Sequence, residues 1–383
     1  MKVLYITLPC FADYMFSLVE SSLEHGIDAT CILDLNTTSS TIIDIKERIS
    51  KPGIIKASEY EELRIFNSII SDERLYVANY NPSRKYLYHR FKKLYDLYYF
   101  IKVHNFNIIH IDHTFEGLDQ LLYIFHKKMV LTQHDPLAHS GMEYSPRTNR
   151  LLKRAYKLIP KIVIHNKTQL NEFCSTYSIN QERVLVNYMP LYTCLDVFTD
   201  SRIIRNKKKI LFFGRISKYK GLEYLCESMV KVHNVVPDAT LSIIGGGNFY
   251  FDFSLYSNLE YISIRNTYIS IHDLVKQLQE CAFVVCPYVD ATQSGVVMTC
   301  NALGVPAIVT NVGGLPEMVD DGKSGIIVQP KDSCELADAI ISLLKDTNKL
   351  DTMYLYLNKM YKNGPRSSKN ITQRYIDFYN KQI

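Results

Sequence analysis

The sequence predicts an α/β protein built from two Rossmann-like, doubly wound domains. Apolar strand patterns alternate with helix patterns along the first half, as a doubly wound domain requires. In the second half, loops that contain glycine join successive strands to helices at one edge of a parallel sheet. The chain has 383 residues, 47% of them hydrophobic, which is enough to bury a large core and to form two domains.

Composition argues against several classes of protein. The net charge of +5 is modest and no basic arm or nucleic-acid motif is present, so a nucleic-acid-binding protein is disfavoured. The nine cysteines are scattered, without a CxxC pair or a histidine cluster at ligand spacing, and are interpreted as reduced core residues of a cytosolic protein. No apolar run of about 18 residues could span a membrane, and the apolar start is too short for a signal peptide.

The first half begins with regular elements. Val3–Leu8 is predicted to be a strand, Met15–Glu24 a helix, and Ala29–Leu33 a second strand. Lys161–His165 is predicted to be the last strand before another helix. The segment 180–209, with irregular polarity and a charged run, is predicted to be the boundary between the domains.

Residues 83–102, SRKYLYHRFKKLYDLYYFIK, form an unusual helix candidate. Basic residues, among them Arg84, alternate there with tyrosine and phenylalanine, a composition that suits the surface of an anionic membrane. The alternative is an ordinary surface helix whose tyrosines cover the core while its lysines remain in water.

Two predicted strand ends in the first half carry histidine and acidic residues. They lie in the segments 107–117 and 129–141, and both should reach the same edge of the first domain. A histidine at such an edge can exchange hydrogen bonds with a ligand hydroxyl near neutral pH. The side chains concerned are His110, Asp112, His113, Glu116, His134, Asp135 and His139. His110 lies inside its strand, which favours a structural role.

The stretch 287–330 is the most informative part of the chain. The strand Ala282–Pro287 runs into a polar loop, and the helix Val296–Leu303 and the strand Pro306–Thr310 follow. Gly313 and Gly314 then precede a helix opened by Leu315-Pro316-Glu317. Two clusters of free backbone N–H groups would therefore meet at one sheet edge, where phosphate is commonly bound. The alternative is two ordinary turns that use glycine only to change direction.

A second motif supports an anion site. The strand at 210–213 ends at Gly214 and Arg215, with Lys220 five residues further on and a helix predicted to start near Gly221. One planar bidentate donor and one point charge at a strand end suit a diphosphate.

These motifs together resemble family 4 retaining glycosyltransferases of the GT-B fold. The resemblance implies that the two domains face each other across a cleft. The resemblance is dense from 209 to 341 and thinner in the first half, where residues 132–141 resemble a loop of bacterial polysaccharide-assembly members. It rests on the order and spacing of FGRISKYKG, PYVDATQSGVV, ALGVPAIVTNVGGLPE, DGKSGIIV and TQHDPLAHSG. It implies an N-terminal acceptor domain (1–195), a sugar-nucleotide-binding domain (196–365) and a C-terminal helix (366–383) that packs back on the first domain.

The resemblance also implies a chemistry. A retaining hexosyltransferase would use a UDP- or GDP-sugar, without an obligatory metal, and a glycan or polyprenyl-linked acceptor at the cytoplasmic face of the membrane. The implied catalytic candidates are His134, His113, Arg215 and Lys220. The implied donor-binding residues are Gly214, Arg215, Lys220, Asp290, Gln293, Ser294, Gly295, Val296, Thr299, Gly314 and Glu317.

The chain departs from the family pattern at two places. Pro9–Ala12 replaces a Gly-Gly loop after the first strand, and the two family glutamates fall on Ala291 and Thr299. Asp290 takes the first position if the loop has one extra residue, and Glu317 is a substitute for the second, which usually recognises the ribose. Two alternatives therefore stay open: a sugar-nucleotide epimerase on the same fold, or a non-catalytic partner that binds nucleotide sugar.

Overall fold

The structure is a computed structural model, which describes residues 1–35, 45, 48–81, 83, 85–137 and 144–382. The chain divides into two compact units, which we call unit 1 (Met1–Val197 with Ser368–Ile383) and unit 2 (Phe198–Ser367). Arg84 and His139, which sequence analysis named, lie outside the described residues.

Strands and helices alternate through both units. The strands are β1 Lys2–Thr7, β2 Asp28–Asp34, β3 Gly53–Lys56, β4 Leu75–Asn79, β5 Ile108–Ile111, β6 Met129–Thr132, β7 Lys161–Ile164, β8 Val184–Val186, β9 Lys209–Phe213, β10 Thr240–Ile244, β11 Ile262–Arg265, β12 Phe283–Cys286, β13 Ala307–Thr310 and β14 Gly325–Val328. The α-helices are α1 Ala12–Glu24, α2 Leu87–His104, α3 Pro146–Leu158, α4 Leu170–Tyr177, α5 Leu222–Val235, α6 Ser254–Ser257, α7 Ile271–Glu280, α8 Gly295–Ala302, α9 Leu315–Met318, α10 Ser333–Lys345, α11 Thr347–Lys362 and α12 Ser368–Asn380.

Unit 1 contains a sheet in the order β3-β4-β2-β1-β5-β6-β7-β8. All neighbouring strands are parallel except β3 and β4. The strand order reverses between β1 and β5, which places the carboxyl ends of these strands at a position where doubly wound sheets bind ligands.

Strand β8 is a correction to the sequence prediction, which ended the first domain's strands at β7. Its three residues are apolar and half-buried, and a run of three is shorter than the roughly four to eight residues by which a strand is recognised in a sequence.

The last helix of the chain belongs to unit 1. Tyr375 in α12 shares a hydrogen bond with Tyr14 of α1 (2.8 Å), and the carbonyl oxygen of Ile371 accepts one from the Asn187 side chain (3.1 Å). Tyr379 contacts His110 of β5 through its hydroxyl at 2.6 Å. His110 is therefore buried in a structural hydrogen-bond network, as its position inside the strand predicted.

Helix α2 packs on unit 1 through a narrow apolar face. Only Leu97 and Ile101 are fully buried along its length. The tyrosines of α2 divide into two groups: Tyr98 packs against the core, whereas those at 88, 95 and 99 are more than half exposed. Both interpretations of this helix therefore stay open. No helix among the described residues is long and apolar enough to cross a membrane.

Unit 2 contains a wholly parallel sheet in the order β11-β10-β9-β12-β13-β14. Strands β12 and β13 are buried throughout, as expected for the interior of a sheet covered by helices on both faces. The order of the strands reverses between β9 and β12. The carboxyl ends of these two strands carry the motifs from which sequence analysis predicted an anion site.

Candidate functional site

The loops after β9, β12 and β13 contact one another at the carboxyl edge of the unit 2 sheet. A Cβ atom on Gly221 would lie 2.0 Å from the carbonyl oxygen of Pro287, and one on Gly313 would lie 1.5 Å from that of Ala291. Both glycines have a positive φ, of +62° and +51°. Only glycine therefore allows these loops to approach so closely.

Lys220 is the buried cation of this edge. It ends a short 3-10 helix, Lys218–Lys220, that follows β9, and it is only 8% exposed. Its Nζ donates to the Tyr288 hydroxyl at 2.5 Å and lies 3.7 Å from the centre of that ring. Burial, together with a smaller effect of the Arg215 charge, lowers the pKa of Lys220 to about 8. Two cations close enough to interact are stabilised when an anion binds between them.

Arg215 occupies the exposed end of β9. It follows Gly214, whose φ of +118° turns the chain away from the strand. Among the described residues, no carboxylate lies within ion-pair distance of the Arg215 guanidinium. This guanidinium is therefore available to a solvent-borne anion, in contrast to Arg202, which pairs with Asp200 at 2.8 Å.

The amino end of α8 lies directly after the loop that follows β12. The Ser294 hydroxyl caps this helix by accepting from the Val297 N–H at 3.3 Å. The N–H groups of Gly295 and Val296 are first-turn donors that the helix itself does not satisfy. They are available to an acceptor at the sheet edge, as the sequence analysis expected.

Thr299 occupies the position of the second family glutamate, and it makes a hydrogen bond within its own helix. Its hydroxyl donates to the carbonyl oxygen of Gly295 at 2.8 Å, one turn back in α8. Asp290 and Gln293 are half-buried in the preceding loop. A threonine can still accept a hydrogen bond from a ribose hydroxyl, but it lacks the charge that a glutamate would supply.

The second predicted helix start is smaller than expected. Helix α9 is a single turn of four residues that follows Gly314, so its dipole is weak. Its Glu317 is half-buried, and the main chain around it is held by the buried Arg366. Arg366 donates to the Glu317 carbonyl oxygen at 3.3 Å and to the Asp320 carboxylate at 3.0 Å. The anion-binding capacity of this edge therefore depends mainly on α8 and the two cations.

Unit 1 holds a separate cavity of about 510 Å³ near the carboxyl ends of β1 and β5. His113 lines it, and its Nδ1 donates to the buried Asp112 carboxylate at 2.9 Å, which also accepts from the Thr7 hydroxyl. Burial raises the pKa of Asp112. Further lining side chains of mixed charge are His89, Arg90, Lys93, Glu116 and Arg147.

The charged groups of this cavity are largely paired with each other. The Lys93 ammonium lies between the carboxylates of Asp34 (2.6 Å) and Asp119 (2.8 Å). Arg147 pairs with Glu116 at 2.9 Å. The cavity therefore offers hydrogen-bond donors and acceptors in similar numbers rather than a strong net charge.

His134 has a different environment from His113. Its ring stacks on Phe11 at a centroid distance of 4.0 Å and meets the edge of Tyr14 at 5.0 Å. Burial lowers the pKa of His134 well below its ordinary value, and so do His165 and His110 nearby. His134 is therefore neutral at physiological pH. The structure does not bring it to the cavity that His113 lines.

Sequence reasoning did not single out Tyr288 or Arg366. Tyr288 follows a proline at a strand end and belongs to an apolar run, so its pattern indicates only a core residue. Arg366 comes just before the last helix, at a predicted break. A buried tyrosine or arginine is recognised from its contacts in the folded chain, and no spacing rule identified either one.

Among the described residues, we found no group of side chains arranged to bind a metal ion. No three His, Cys, Asp or Glu side chains converge there as metal ligands would. The expectation that no metal is required remains a prediction.

Two family models match the chain. One, described as Glycosyltransferase Family 4, matches residues 57–190, and the other, described as Glycosyl transferases group 1, matches residues 207–346. Together they cover most of both units. The second match contains the whole candidate site of unit 2.

Curated relatives are similar over part of their length. A D-inositol 3-phosphate glycosyltransferase of Paenarthrobacter aurescens is 27% identical over 209 residues, which are 50% of this chain and 51% of that protein. An N-acetyl-alpha-D-glucosaminyl L-malate synthase of Bacillus anthracis is 30% identical over 146 residues, 38% of each chain. The chain thus spans about half the length, or less, of these relatives.

Solved structures match along nearly the whole chain. HepE of Anabaena in complex with UDP and glucose has a TM-score of 0.68 at 15% identity, with 98% of each chain covered. WaaG, a glycosyltransferase involved in lipopolysaccharide biosynthesis, has a TM-score of 0.62 at 12% identity, with 100% of each chain covered. At these identities the likeness shows the fold.

Proposed function

Because the chain belongs to the glycosyltransferases of family 4 and group 1 and has their GT-B fold, we propose that it is a retaining hexosyltransferase. It takes a sugar from a nucleoside-diphosphate sugar and transfers it to a glycan or lipid-linked acceptor in surface or capsular polysaccharide assembly. The observation that carries this proposal is the pair of cations, Arg215 and Lys220, beside the free N–H groups of α8.

These groups suit a diphosphate that becomes a leaving group. Arg215 supplies a planar bidentate donor, Lys220 a buried point charge, and Gly295 and Val296 two backbone N–H groups. As the bond from the sugar to the phosphate breaks, negative charge grows on the phosphate oxygens. The same four groups then bind more strongly, which lowers the barrier. In a retaining reaction of this type, the acceptor oxygen bonds to the anomeric carbon on the face that the phosphate leaves, and its proton passes to a phosphate oxygen.

The donor is proposed to be a UDP- or GDP-sugar. UDP is the first nucleotide to test, because HepE of Anabaena has been solved with UDP and with UDP-glucose. Thr299 and Glu317 are the proposed contacts of the ribose, with Asp290, Gln293 and Gly314 completing the donor pocket.

The acceptor is proposed to bind unit 1. The cavity beside His113 has donors and acceptors in similar numbers, which suits sugar hydroxyl groups better than a bare anion. The Nδ1 of His113 is bonded to Asp112, so its other ring nitrogen is the atom proposed to contact an acceptor hydroxyl. His134 keeps its proposed role near the donor sugar as an alternative.

A lipid-linked acceptor also requires contact with a membrane, for which α2 is the proposed surface. Tyr88, Phe91, Tyr95 and Tyr99 recur at intervals of three or four residues and are 58–67% exposed. We call these four residues the aromatic stripe. Basic residues of α2 border it, a pattern that favours an anionic bilayer surface. The protein would then be peripheral at the inner face of the cytoplasmic membrane.

A thermal-shift screen with UDP, GDP, dTDP, CMP and their sugars identifies the nucleotide. A ligand at a hundred times its dissociation constant stabilises by about 2.7 kcal/mol, which raises the unfolding midpoint by a few degrees. Arg215→Ala should lose this shift. Lys218→Ala, an exposed cation of the same loop, should keep it. No shift with any nucleotide would contradict the proposal.

Turnover then separates the proposal from its two rivals. The sugar nucleotide that stabilises the protein is incubated with and without a bacterial lipid extract, and nucleotide and sugar are followed by chromatography. The transferase releases nucleoside diphosphate and transfers sugar to lipid. An epimerase would convert the donor without any lipid, and a non-catalytic partner would bind the donor but leave it intact.

A further inference from the structure

Tyr288 connects the separate parts of the candidate anion site. It follows β12 and is 1% exposed, so no solvent competes for its hydroxyl. The Lys220 ammonium donates to that hydroxyl at 2.5 Å and also lies over the ring. The Ser294 hydroxyl, which caps α8, donates to the same oxygen at 3.4 Å.

The Tyr288 hydroxyl stays protonated. Burial raises the pKa of Tyr288 well above its ordinary value, and the charge of the nearby Cys286 acts in the same direction. Burial also raises the pKa of the Cys286 thiol, to about 11, so this group is neutral. A protonated tyrosine hydroxyl keeps two lone pairs, so its oxygen can accept from Lys220 and from Ser294 together.

The main chain of Tyr288 is fixed on both sides. Its carbonyl oxygen accepts from the Thr310 hydroxyl at the end of β13 at 2.5 Å. The next residue, Val289, donates its N–H to the carbonyl oxygen of Tyr219, the neighbour of Lys220, at 2.8 Å. The hydroxyl position is therefore set by three strand ends of the sheet.

We propose that Tyr288 is a positioning residue that holds the Lys220 ammonium and the capped end of α8 in one geometry for the diphosphate of the donor. This inference rests on the proposed function of the site. Tyr288 does not touch the reacting atoms in this role. It accepts from Lys220 with one lone pair, and the remaining N–H bonds of the ammonium stay directed to the bound phosphate.

Tyr288→Phe tests the role because it removes the hydroxyl and keeps the ring. The matched control is Tyr354→Phe, whose hydroxyl donates to the Ala282 carbonyl oxygen at 2.7 Å at the opposite, amino end of β12. Both variants remove a hydrogen-bonded hydroxyl from a partly or wholly buried tyrosine of unit 2. Only the first should change the anion site.

Two measurements are made on the full chain. Calorimetric titration with UDP should show about tenfold weaker binding in Tyr288→Phe, since a hydrogen bond to a charged group is lost, and unchanged binding in Tyr354→Phe. The second measurement needs no ligand: labelling of Lys220 by an amine-reactive reagent at pH 7, followed by peptide mass spectrometry. Labelling should be several times faster in Tyr288→Phe than in the wild type, because the amine is no longer held.

The outcomes separate this inference from the proposed function. Equal UDP affinity in Tyr288→Phe and in the wild type would overturn the positioning role, even if labelling changed. Unchanged labelling would overturn the claim that Tyr288 holds the lysine. A wild type that binds neither UDP nor any other nucleoside diphosphate would overturn the proposed function, and with it the diphosphate role, while the labelling result would still decide the lysine contact.

Discussion

At the scale of single residues, the protonation of Lys220 should make nucleotide binding depend on pH. Its pKa, lowered to about 8 mainly by burial, means that the free protein loses this charge above pH 8. A bound diphosphate favours the charged form, so the complex has the higher pKa and takes up a proton. Affinity for UDP should therefore fall as pH rises from 7 to 9.

Titration calorimetry in two buffers of different ionisation enthalpy measures this proton uptake directly. Lys220→Arg serves as the control, because arginine stays charged throughout the range. A wild type whose affinity is constant from pH 7 to 9 would show that Lys220 does not contact the anion.

At the same scale, the close packing around Gly313 predicts that a larger residue there lowers the stability of the fold. Gly313→Ala places a Cβ against the Ala291 carbonyl oxygen, 1.5 Å away, and must separate the loops after β12 and β13. Gly322→Ala is the matched control, since Gly322 also has a positive φ (+70°) but has no atom within 4 Å of the added Cβ. The left-handed backbone conformation destabilises both alanine variants by about 1–2 kcal/mol. Only Gly313→Ala is also destabilised by a steric clash.

Urea unfolding should therefore show a larger loss of stability for Gly313→Ala than for Gly322→Ala, and Gly313→Ala should also weaken UDP binding. Equal losses would mean that the close approach of the two loops is not a requirement of the fold.

At the scale of elements, the aromatic stripe of α2 predicts binding to anionic membranes. The wild type should co-sediment with vesicles that contain phosphatidylglycerol and not with neutral vesicles, because basic residues of α2 lie beside the stripe. Phe91→Ser with Tyr95→Ser should reduce this binding severalfold without lowering the unfolding midpoint, because both side chains are already exposed.

Leu355→Ser is the control for this experiment, since Leu355 is 71% exposed on a helix of unit 2. Vesicle binding that is unchanged in the Phe91 and Tyr95 double variant would contradict the assignment of α2 as the membrane surface.

Elements also show what sequence can and cannot predict. The helix at 296–303 and the strands at 282–287 and 306–310 were predicted within one residue of their observed bounds, because buried parallel strands are continuous apolar runs and capped helices have clear ends. Strand β8 was not recognised, because three half-buried residues at a sheet edge have no distinctive pattern.

The candidate site was predictable where it depends on glycine and charge. Gly214, Arg215 and Lys220 stand at a strand end that spacing alone identifies. The hydroxyl of Tyr288 and the covering of His134 by Phe11 could not be predicted, since both depend on contacts between residues far apart in sequence.

At the scale of the whole molecule, the two units have the same kind of sheet but different side chains at the corresponding site. Each has a doubly wound sheet whose strand order reverses near its centre. At that position unit 1 has a cavity with paired charges beside His113, and unit 2 has two cations and a helix amino end. A neutral polar site suits hydroxyl groups, and a cationic site suits phosphate. This division supports the proposed assignment of acceptor and donor.

The central claim is that the edge of unit 2 binds a diphosphate through Arg215. Calorimetric titration of the wild type and Arg215→Ala with UDP and with uridine tests it most directly, because the two ligands differ only in the diphosphate. We predict that the wild type binds UDP at least ten times more tightly than uridine. Arg215→Ala should lose about ten- to a hundredfold in affinity for UDP and nothing for uridine. Equal affinities of the wild type for UDP and uridine, or an Arg215→Ala variant that binds UDP like the wild type, would contradict it.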